Sequence, residues 1–271
     1  IVRTSKQRRD GLVATELNPV EIDHPDLSVV IVSWNVVNLL RQCLLTVYRE
    51  TREVSLEVFV VDNASDDGSA DMVATEFPEV NLIKNTENLG FTKANNQALS
   101  RSRGRYLVLL NPDTEVLSQA LDRMVIYMDT HPDAGAATGT LLRTDGLEQP
   151  SAHTHFPTIL AGTLYPEWRY RLLKRMQRGF LGFRARAGNV NNLLGAGDDQ
   201  EVRNLNGAFM VVSRRAMEQV GLLDERFFLY SQEVDWCVRI VKAGWKLYFY
   251  PHANVLHYHG QSTRLLGNKL L

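Results

Sequence analysis

The fold is decided by a stretch that begins at residue 27 and runs Leu27-Ser28-Val29-Val30-Ile31-Val32. Its apolar, β-branched composition is typical of a buried strand. Apolar residues then recur at helical spacing from Leu39 to Tyr48, and a second β-rich run follows at Val58-Phe59-Val60-Val61. Together these segments predict a strand, helix, strand unit, and they place the start of the folded domain near Leu27.

The same alternation continues along the next fifty residues. A strand is predicted at 80–83, a helix at about 92–100 and a strand at 106–110. Strands that are apolar on both faces and separated by helices predict an α/β fold, with a mostly parallel, Rossmann-like sheet that carries helices on both faces. Ligands bind such sheets at the carboxyl ends of their strands.

The pattern is looser in the second half of the chain. Between 143 and 203 the alternation fails, and Gly and Arg accumulate. The elements predicted outside that region are a helix at about 117–130, an apolar stretch at 136–142, a strand at 208–212, a helix at about 233–243 and a strand at 247–250.

Composition and charge argue against a nucleic-acid-binding, membrane-spanning or secreted protein. The 271 residues are 44% hydrophobic and 23% charged, and the formal net charge is only -1, which gives no overall electrostatic case for binding nucleic acid. Cys43 and Cys237 each fall in a helical apolar pattern and are predicted to be buried small hydrophobes. The sequence contains no apolar run of membrane-spanning length and no secretory core behind its first charges, so we expect a cytoplasmic protein.

Polar residues follow three of the predicted strands: first Ser33 and Asn35, then Asp62 and Asn63, then Asn111 and Asp113. Asp62 ends the second strand and could accept a hydrogen bond from a nucleotide base, although Asp62 or Asp66 could instead cap the next helix. Asp113 follows the strand at 106–110 and is held in a stiff turn by Pro112. A carboxylate there could hold Mg²⁺ or Mn²⁺ against a diphosphate, or it could simply belong to an Asn-Pro-Asp turn.

Taken together, the motifs resemble family 2 glycosyltransferases of the GT-A fold, particularly the bacterial branch that includes rhamnosyltransferases. The resemblance runs from about Leu27 to Ser262. It is carried by Val30-Ile31-Val32-Ser33-Trp34-Asn35, Val61-Asp62-Asn63-Ala64-Ser65-Asp66-Asp67-Gly68-Ser69, Asn88-Leu89-Gly90-Phe91-Thr92-Lys93-Ala94-Asn95-Asn96, Asn111-Pro112-Asp113, and Phe227-Phe228-Leu229-Tyr230 before Gln232-Glu233-Val234-Asp235-Trp236.

The resemblance implies a domain plan and a nucleotide-sugar site. Residues 1–26 would form an extended arm, 27–113 the nucleotide-sugar-binding half, 114–264 the acceptor-binding half and 265–271 a tail. The donor would be a dTDP- or UDP-linked sugar, with L-rhamnose preferred. The implied donor-binding residues are Ser33 and Asn35 beside the nucleotide, Asp62 on the pyrimidine base with Asn63 next to it, Asn88, Gly90 and Asn95 along the ribose and diphosphate, and Asn111 and Asp113 at the diphosphate.

The resemblance also implies a divalent metal. Asp113 matches the metal-binding aspartate of the family's Asp-X-Asp motif, while Asn111 stands at its first acidic position and leaves one carboxylate in place of two. His257 aligns with a histidine that can complete the metal site, and imidazole is an acceptable ligand for Mn²⁺. The alternative for His257 is a structural histidine at a strand end, and His259 is a less favoured ligand.

Inverting transfer needs a base, which the family places in a Glu-Asp pair that aligns with Gln232-Glu233. Glu233 is therefore the predicted base, and Asp235 is its competitor. Residues two apart in a helix are separated by about 200°, so the two carboxylates are not expected to face the same cleft. Asp235 also has Arg239 four residues on, which is a spacing that favours an ion pair.

The remaining interpretations concern partners. The segment 168–186 has basic residues and no acidic ones, and its apolar residues recur at helical spacing. It could lie on the inner face of an anionic membrane, pack on the catalytic domain or form a homo-oligomer contact. The resemblance implies a cell-surface glycan or polyprenyl-linked acceptor. The loss of acids at Asn111 and Gln232 keeps open a non-catalytic nucleotide-sugar-binding protein, and other family members would use a galactofuranosyl, glucosyl or N-acetylhexosaminyl donor.

Overall fold

The computed structural model describes residues 24–154 and 198–258. Residues 1–23 of the predicted arm, the basic segment 168–186, His259 and the tail lie outside the described residues. Within the described ranges, no helix is long and apolar enough to cross a membrane.

The first half forms the predicted α/β unit. Its four strands pair in parallel in the order β3-β2-β1-β4, with helices in the crossovers. The fold expectation is therefore confirmed. The elements are β1 (Leu27–Ser33), α1 (Val37–Glu50), β2 (Leu56–Asp62), α2 (Ser69–Glu76), β3 (Asn81–Lys84), α3 (Gly90–Leu99) and β4 (Tyr106–Leu110).

The central strand β1 shows why this sequence becomes a buried parallel strand. All seven of its residues are buried. Val29 and Ile31 pack into the core cluster on the α1 side, while Val30 and Val32 pack into the cluster on the α3 side. Successive side chains of a strand point to opposite faces, so a continuous apolar run is what a strand covered on both faces requires.

The second half extends this sheet with mixed pairing. Strand β11 pairs antiparallel with β4 and with β6, β12 runs parallel to β6, and β5 closes the edge antiparallel to β12. The elements are β5 (Thr114–Leu117), α4 (Ala120–Thr130), β6 (Ala134–Leu142), β7 (Glu148–Gln149), β8 (Ala152–His153), β9 (Gln200–Val202), β10 (Asn204–Leu205), β11 (Phe209–Ser213), α5 (Arg214–Val220), α6 (Gln232–Lys242) and β12 (Lys246–His257).

Two predicted boundaries in this half are wrong. The helix expected from 117 begins at Ala120, because residues 114–117 pair with β12 and the left-handed residues Ser118 and Gln119 turn the chain afterwards. The strand expected at 247–250 continues to His257 through Pro251. The pairing of β12 with β6 is interrupted between Phe249 and Asn254, and a proline is tolerated at such an irregularity.

The two cysteines are buried and free, as predicted. Cys43 lies in α1 and Cys237 in α6, and burial raises the pKa of each thiol to about 12. Both side chains therefore remain protonated and pack as small hydrophobes.

Candidate active site

A cavity of about 320 Å³ opens at the carboxyl ends of the parallel strands, where the fold predicts a ligand. The turn after β4 and the end of β12 form one side of it, and the start of α6 with the segment before it forms another. Seven residues that the sequence singled out line it: Asn63, Asn88, Gly90, Asn111, Asp113, Glu233 and His257.

Ser33, Asn35 and Asp62 do not line the cavity, but each is next in sequence to a residue that does, Trp34 or Asn63. Ser33 and Asp62 end neighbouring strands and pair in register. Ser33 Oγ and Asp62 Oδ1 are shielded from solvent, and neither has a hydrogen-bond partner among the described residues. Buried polar atoms are nearly always bonded in folded proteins, so these two atoms are suited to a ligand.

The loop after β2 is held by Asn35 together with Asp67, whose carboxylate accepts from the first amides of α1 and α2, Val37 and Ser69. The Asn35 side-chain oxygen accepts a hydrogen bond from the Asp66 amide at 2.8 Å, and its own amide donates to Ser65 Oγ at 3.0 Å. Helix α2 has no side-chain hydrogen bond at its N-cap, Gly68. The alternative that Asp62 or Asp66 caps this helix is therefore wrong.

Asparagines form the wall next to the loop before α3. Asn63 Nδ2 donates to Asn88 Oδ1 at 2.8 Å, and Asn88 Oδ1 also accepts from the Gly90 amide at 2.9 Å. Asn63 Oδ1 accepts from the Leu89 amide at 3.0 Å. Asn95 lies elsewhere: its side chain donates to the Phe91 carbonyl within α3, and it is not among the residues that line the cavity.

Gly90 is fixed against the segment that precedes α6. Its φ is +81°, and a Cβ placed there would lie 2.6 Å from Phe228 Cδ2 and 2.8 Å from the Phe228 carbonyl oxygen. The Phe91 amide donates to the same carbonyl at 2.8 Å. Only glycine satisfies both the backbone conformation and the close approach.

We expect Gly90→Ala to lower the free energy of unfolding by about 1–3 kcal/mol and to weaken nucleotide binding, because the Phe228 segment must move. Chemical denaturation and calorimetry with dTDP and UDP measure the two effects. Gly146→Ala is the matched control, since Gly146 has φ +76° but nothing within 4 Å of the added carbon. Equal losses in the two variants would mean that only backbone strain matters at Gly90.

Asp113 and His257 meet through strand pairing. In the antiparallel pair of β12 with β5, His257 lies opposite Thr114, and the Tyr258 amide donates to the Asp113 carbonyl at 2.9 Å. Asp113 Oδ1 and His257 Nε2 are 3.4 Å apart, and both side chains are about 95% buried, with 5% and 6% exposed. Thr114 Oγ1 donates to the Asn111 carbonyl at 2.7 Å and stabilises the turn.

These residues fit a divalent ion. A carboxylate suits Mg²⁺ or Mn²⁺, and an imidazole is an acceptable second ligand for Mn²⁺, so the neighbouring Asp113 and His257 would be able to hold such an ion together. Within the described residues no group of three or more His, Cys, Asp or Glu side chains could hold a metal. Mg²⁺ is commonly bound by one or two carboxylates with substrate phosphates in other positions, so the single carboxylate of Asp113 would be enough to hold it when diphosphate is present.

The two candidate bases, Glu233 and Asp235, lie in the first turn of α6 and have different surroundings. Glu233 lines the cavity, and its Oε2 is buried without a hydrogen-bond partner in the described parts of the chain. Burial raises the pKa of Glu233 above its ordinary value. Asp235 instead forms the predicted ion pair with Arg239 at 2.8 Å, and Arg239 is in turn bonded to the carbonyl of Leu222. Glu233 thus lines the cavity, whereas the Asp235 carboxylate is held in an ion pair.

The raised pKa of Glu233 predicts a pH-dependent stability. Its contribution to folding is fully present below the unfolded-state value, near 4.3, and is lost as pH rises through the higher folded-state pKa. Glu233→Gln should therefore increase the free energy of unfolding at about pH 8, and the gain should shrink towards about pH 4. Denaturation curves at both pH values test this, and a gain independent of pH would contradict it.

Some cavity residues belong to quoted motifs but were given no individual role from the sequence. Phe228 and Tyr230 line the cavity and are 47% and 63% exposed. Tyr230 and Ser231 both have positive φ, at 66° and 67°, immediately before α6. Such backbone strain is concentrated at functional sites in proteins. Gln232 belongs to the quoted acidic motif, and its buried Oε1 likewise has no partner among the described residues.

Comparison with known proteins identifies the family. The sequence profile described as Glycosyl transferase family 2 matches residues 28–221. An N-acetylglucosaminyl-diphospho-decaprenol L-rhamnosyltransferase from Mycobacterium tuberculosis is 28% identical over 229 residues, which are 78% of this chain and 69% of the relative.

Two solved structures share the fold. The mannosyltransferase PcManGT from Pyrobaculum calidifontis, in complex with GDP-Man and Mn²⁺, superposes with a TM-score of 0.59 at 19% identity and covers 90% of this chain. GalNAc-T7 with UDP, GalNAc and Mn²⁺ gives a TM-score of 0.62 at 15% identity and covers 88%. This chain spans 59% and 44% of those two chains.

The fold and the comparisons together define a glycosyltransferase with the GT-A fold. Within that class, the chain belongs to glycosyl transferase family 2, because the family profile matches well over half of its length.

Proposed function

We propose that this chain is an inverting, metal-dependent transferase that uses a pyrimidine nucleotide-sugar, with dTDP-L-rhamnose preferred. The acceptor would be a lipid-linked or cell-surface glycan precursor. The observation that carries the proposal is that buried Asp113 and buried Glu233 Oε2 line one cavity at the carboxyl ends of the strands. The choice of rhamnose, and of a polyprenyl-linked acceptor, rests on the name of the mycobacterial relative.

The residues divide the chemistry between them. Ser33, Asn35 and Asp62 would receive the nucleotide, with the unpaired Ser33 Oγ and Asp62 Oδ1 as its hydrogen-bond partners. The loop shaped by Asn63 and Asn88 would border the diphosphate, and Asp113 with His257 would hold the ion. A bound Mg²⁺ or Mn²⁺ would neutralise charge on the leaving diphosphate.

Glu233 would act on the acceptor. Its carboxylate takes the proton from the attacking hydroxyl as that oxygen bonds to the anomeric carbon, the bond from this carbon to the diphosphate oxygen breaks, and the single displacement inverts the carbon. A base of raised pKa holds the proton more strongly, which suits this transfer, and the cavity wall keeps Oε2 away from solvent. Asp235 is not proposed as the base because its carboxylate forms an ion pair with Arg239.

The test is a donor screen on the purified protein. Release of nucleoside diphosphate would be measured for dTDP-L-rhamnose, UDP-galactofuranose, UDP-glucose and UDP-N-acetylglucosamine, each with Mg²⁺, Mn²⁺ or a chelator. Metal-dependent turnover of dTDP-L-rhamnose is the expected result. If only one of the UDP-sugars were turned over, that sugar would replace L-rhamnose as the proposed donor. Binding without turnover of any donor would favour the non-catalytic alternative suggested by Asn111 and Gln232.

The acceptor is proposed to enter along Phe228 and Tyr230. The apolar faces of both rings can pack on the apolar face of a sugar, and the Tyr230 hydroxyl adds a polar end. Tyr230→Ala should raise the KM for a synthetic N-acetylglucosaminyl-diphospho-lipid acceptor about 3–10-fold and leave donor affinity unchanged, since such ring contacts contribute about 0.5–1.5 kcal/mol. Steady-state kinetics measure this. Leu147→Ala, which trims a 62% exposed residue that does not line the cavity, is the control.

The membrane surface and the other partners suggested for the segment 168–186 stay predictions, because this segment lies outside the described residues. Cytoplasmic location at the inner membrane face and a homo-oligomer contact also remain untested expectations. Vesicle binding with the arginines and lysines of 168–186 neutralised would test the membrane contact.

A further inference from the structure

Gln149 makes two hydrogen bonds to the residue that lies beside Asp113. Its Oε1 lies 3.0 Å from His257 Nδ1, and its Nε2 donates to the His257 backbone carbonyl at 2.9 Å. The side chain is only 8% exposed, and it is delivered by the two-residue strand β7, which pairs with the end of β6. Gln149 belongs to none of the motifs that the sequence analysis used.

The two bonds determine the orientation of the amide and the tautomer of the ring. If the amide were flipped, its oxygen would face the His257 carbonyl oxygen, which cannot donate. With Oε1 towards the ring, the hydrogen of the neutral imidazole lies on Nδ1, where it can be donated. The unprotonated nitrogen is then Nε2, and this is the atom 3.4 Å from Asp113 Oδ1.

We infer that Gln149 is a positioning residue that holds the His257 ring so that the Nε2 lone pair and the Asp113 carboxylate are presented together to a divalent ion. The inference rests on the metal site of the proposed function. Metal-ligating histidines commonly donate their other ring N–H to an outer-shell acceptor, and loss of such an acceptor weakens metal binding about 10–100-fold.

The experiment compares Gln149→Leu with Gln149→Glu in the full chain. Gln149→Leu removes both hydrogen bonds at similar volume. Gln149→Glu keeps an acceptor for Nδ1–H and loses only the donor to the His257 carbonyl. Gln219→Leu is the matched control, because Gln219 is an exposed glutamine on α5, away from the cavity. The probe is Mn²⁺, added alone and with dTDP, and its affinity is measured by electron paramagnetic resonance.

A second readout needs neither metal nor activity. Nitrogen-15 NMR of labelled histidine rings reports which ring nitrogen of His257 carries the hydrogen. The wild type should show the Nδ1–H form, and Gln149→Leu should lose that preference and bind Mn²⁺ about 10–100-fold more weakly. Gln149→Glu should retain the Nδ1–H form and bind Mn²⁺ more tightly than Gln149→Leu. Gln219→Leu should match the wild type.

The outcomes separate this inference from the proposed function. Wild-type affinity for Mn²⁺ in Gln149→Leu, with an unchanged ring tautomer, would overturn the inference and leave the metal site standing. Absence of Mn²⁺ binding in the wild type, with and without dTDP, would overturn the metal site and the inference with it. If Gln149→Leu does not fold, the wild-type spectrum still decides, since an Nε2–H tautomer for His257 would overturn the inference.

Discussion

Glu233→Gln is expected to reduce sugar transfer by about 10²–10⁴-fold while leaving the affinity for donor and metal close to wild type. The substitution keeps the shape of the side chain and removes its capacity to accept a proton. Glu233 lines the cavity, and within residues 24–154 and 198–258 its Oε2 has no hydrogen-bond partner that the substitution would remove. Single-turnover transfer and calorimetric donor binding, measured on the same preparation, separate chemistry from binding.

Asp235→Asn is the matched control for that experiment. It removes a carboxylate from the same helix, two residues away, and breaks the ion pair with Arg239. We expect a loss of stability below about 1 kcal/mol, because the pair is partly exposed, and a rate of transfer within a few-fold of wild type. If Asp235→Asn abolished transfer and Glu233→Gln did not, the assignment of the base would be reversed.

Asp113→Asn is the second variant with a large expected effect. The buried carboxylate would be replaced by a neutral amide of the same shape, so the ion would keep only His257 as a protein ligand. Stabilisation of the leaving diphosphate by a metal is worth several kcal/mol, which corresponds to a loss of turnover of about 10³-fold. Donor binding that depends on metal should disappear. Calorimetric titration of donor with and without Mn²⁺ measures it.

Asn111→Asp gives the opposite change in the same turn. It adds the carboxylate that the family's Asp-X-Asp motif has at this position, and we expect tighter Mn²⁺ binding in the absence of nucleotide. Thr114 would continue to hold the residue 111 carbonyl, so the turn itself should be retained. A normal metal titration in Asp113→Asn would remove Asp113 as a ligand, whatever the effect of Asn111→Asp.

Local sequence determined the first half of the fold. The run in β1 is apolar on both faces, and this requirement can be recognised without knowing its neighbours. The strand ends then placed polar residues at one edge of the sheet, which is why Asn63, Asn111 and Asp113 were predicted near one another and do line one cavity. The pair of Asp235 with Arg239 was likewise predictable, because a spacing of four residues depends only on the helix.

Tertiary structure decided the features whose partners are distant in the chain. β5 was missed because its residues become a strand only by pairing with β12, and the same pairing places His257 beside Asp113. Gln149 lies on a strand of two residues, which is too short to show any periodicity. The sequence by itself thus determined the parallel half of the sheet and the polar edge that defines the family. Only the folded chain decided which residues approach Asp113 and Glu233, because those contacts depend on strand pairing and backbone conformations that no local pattern encodes.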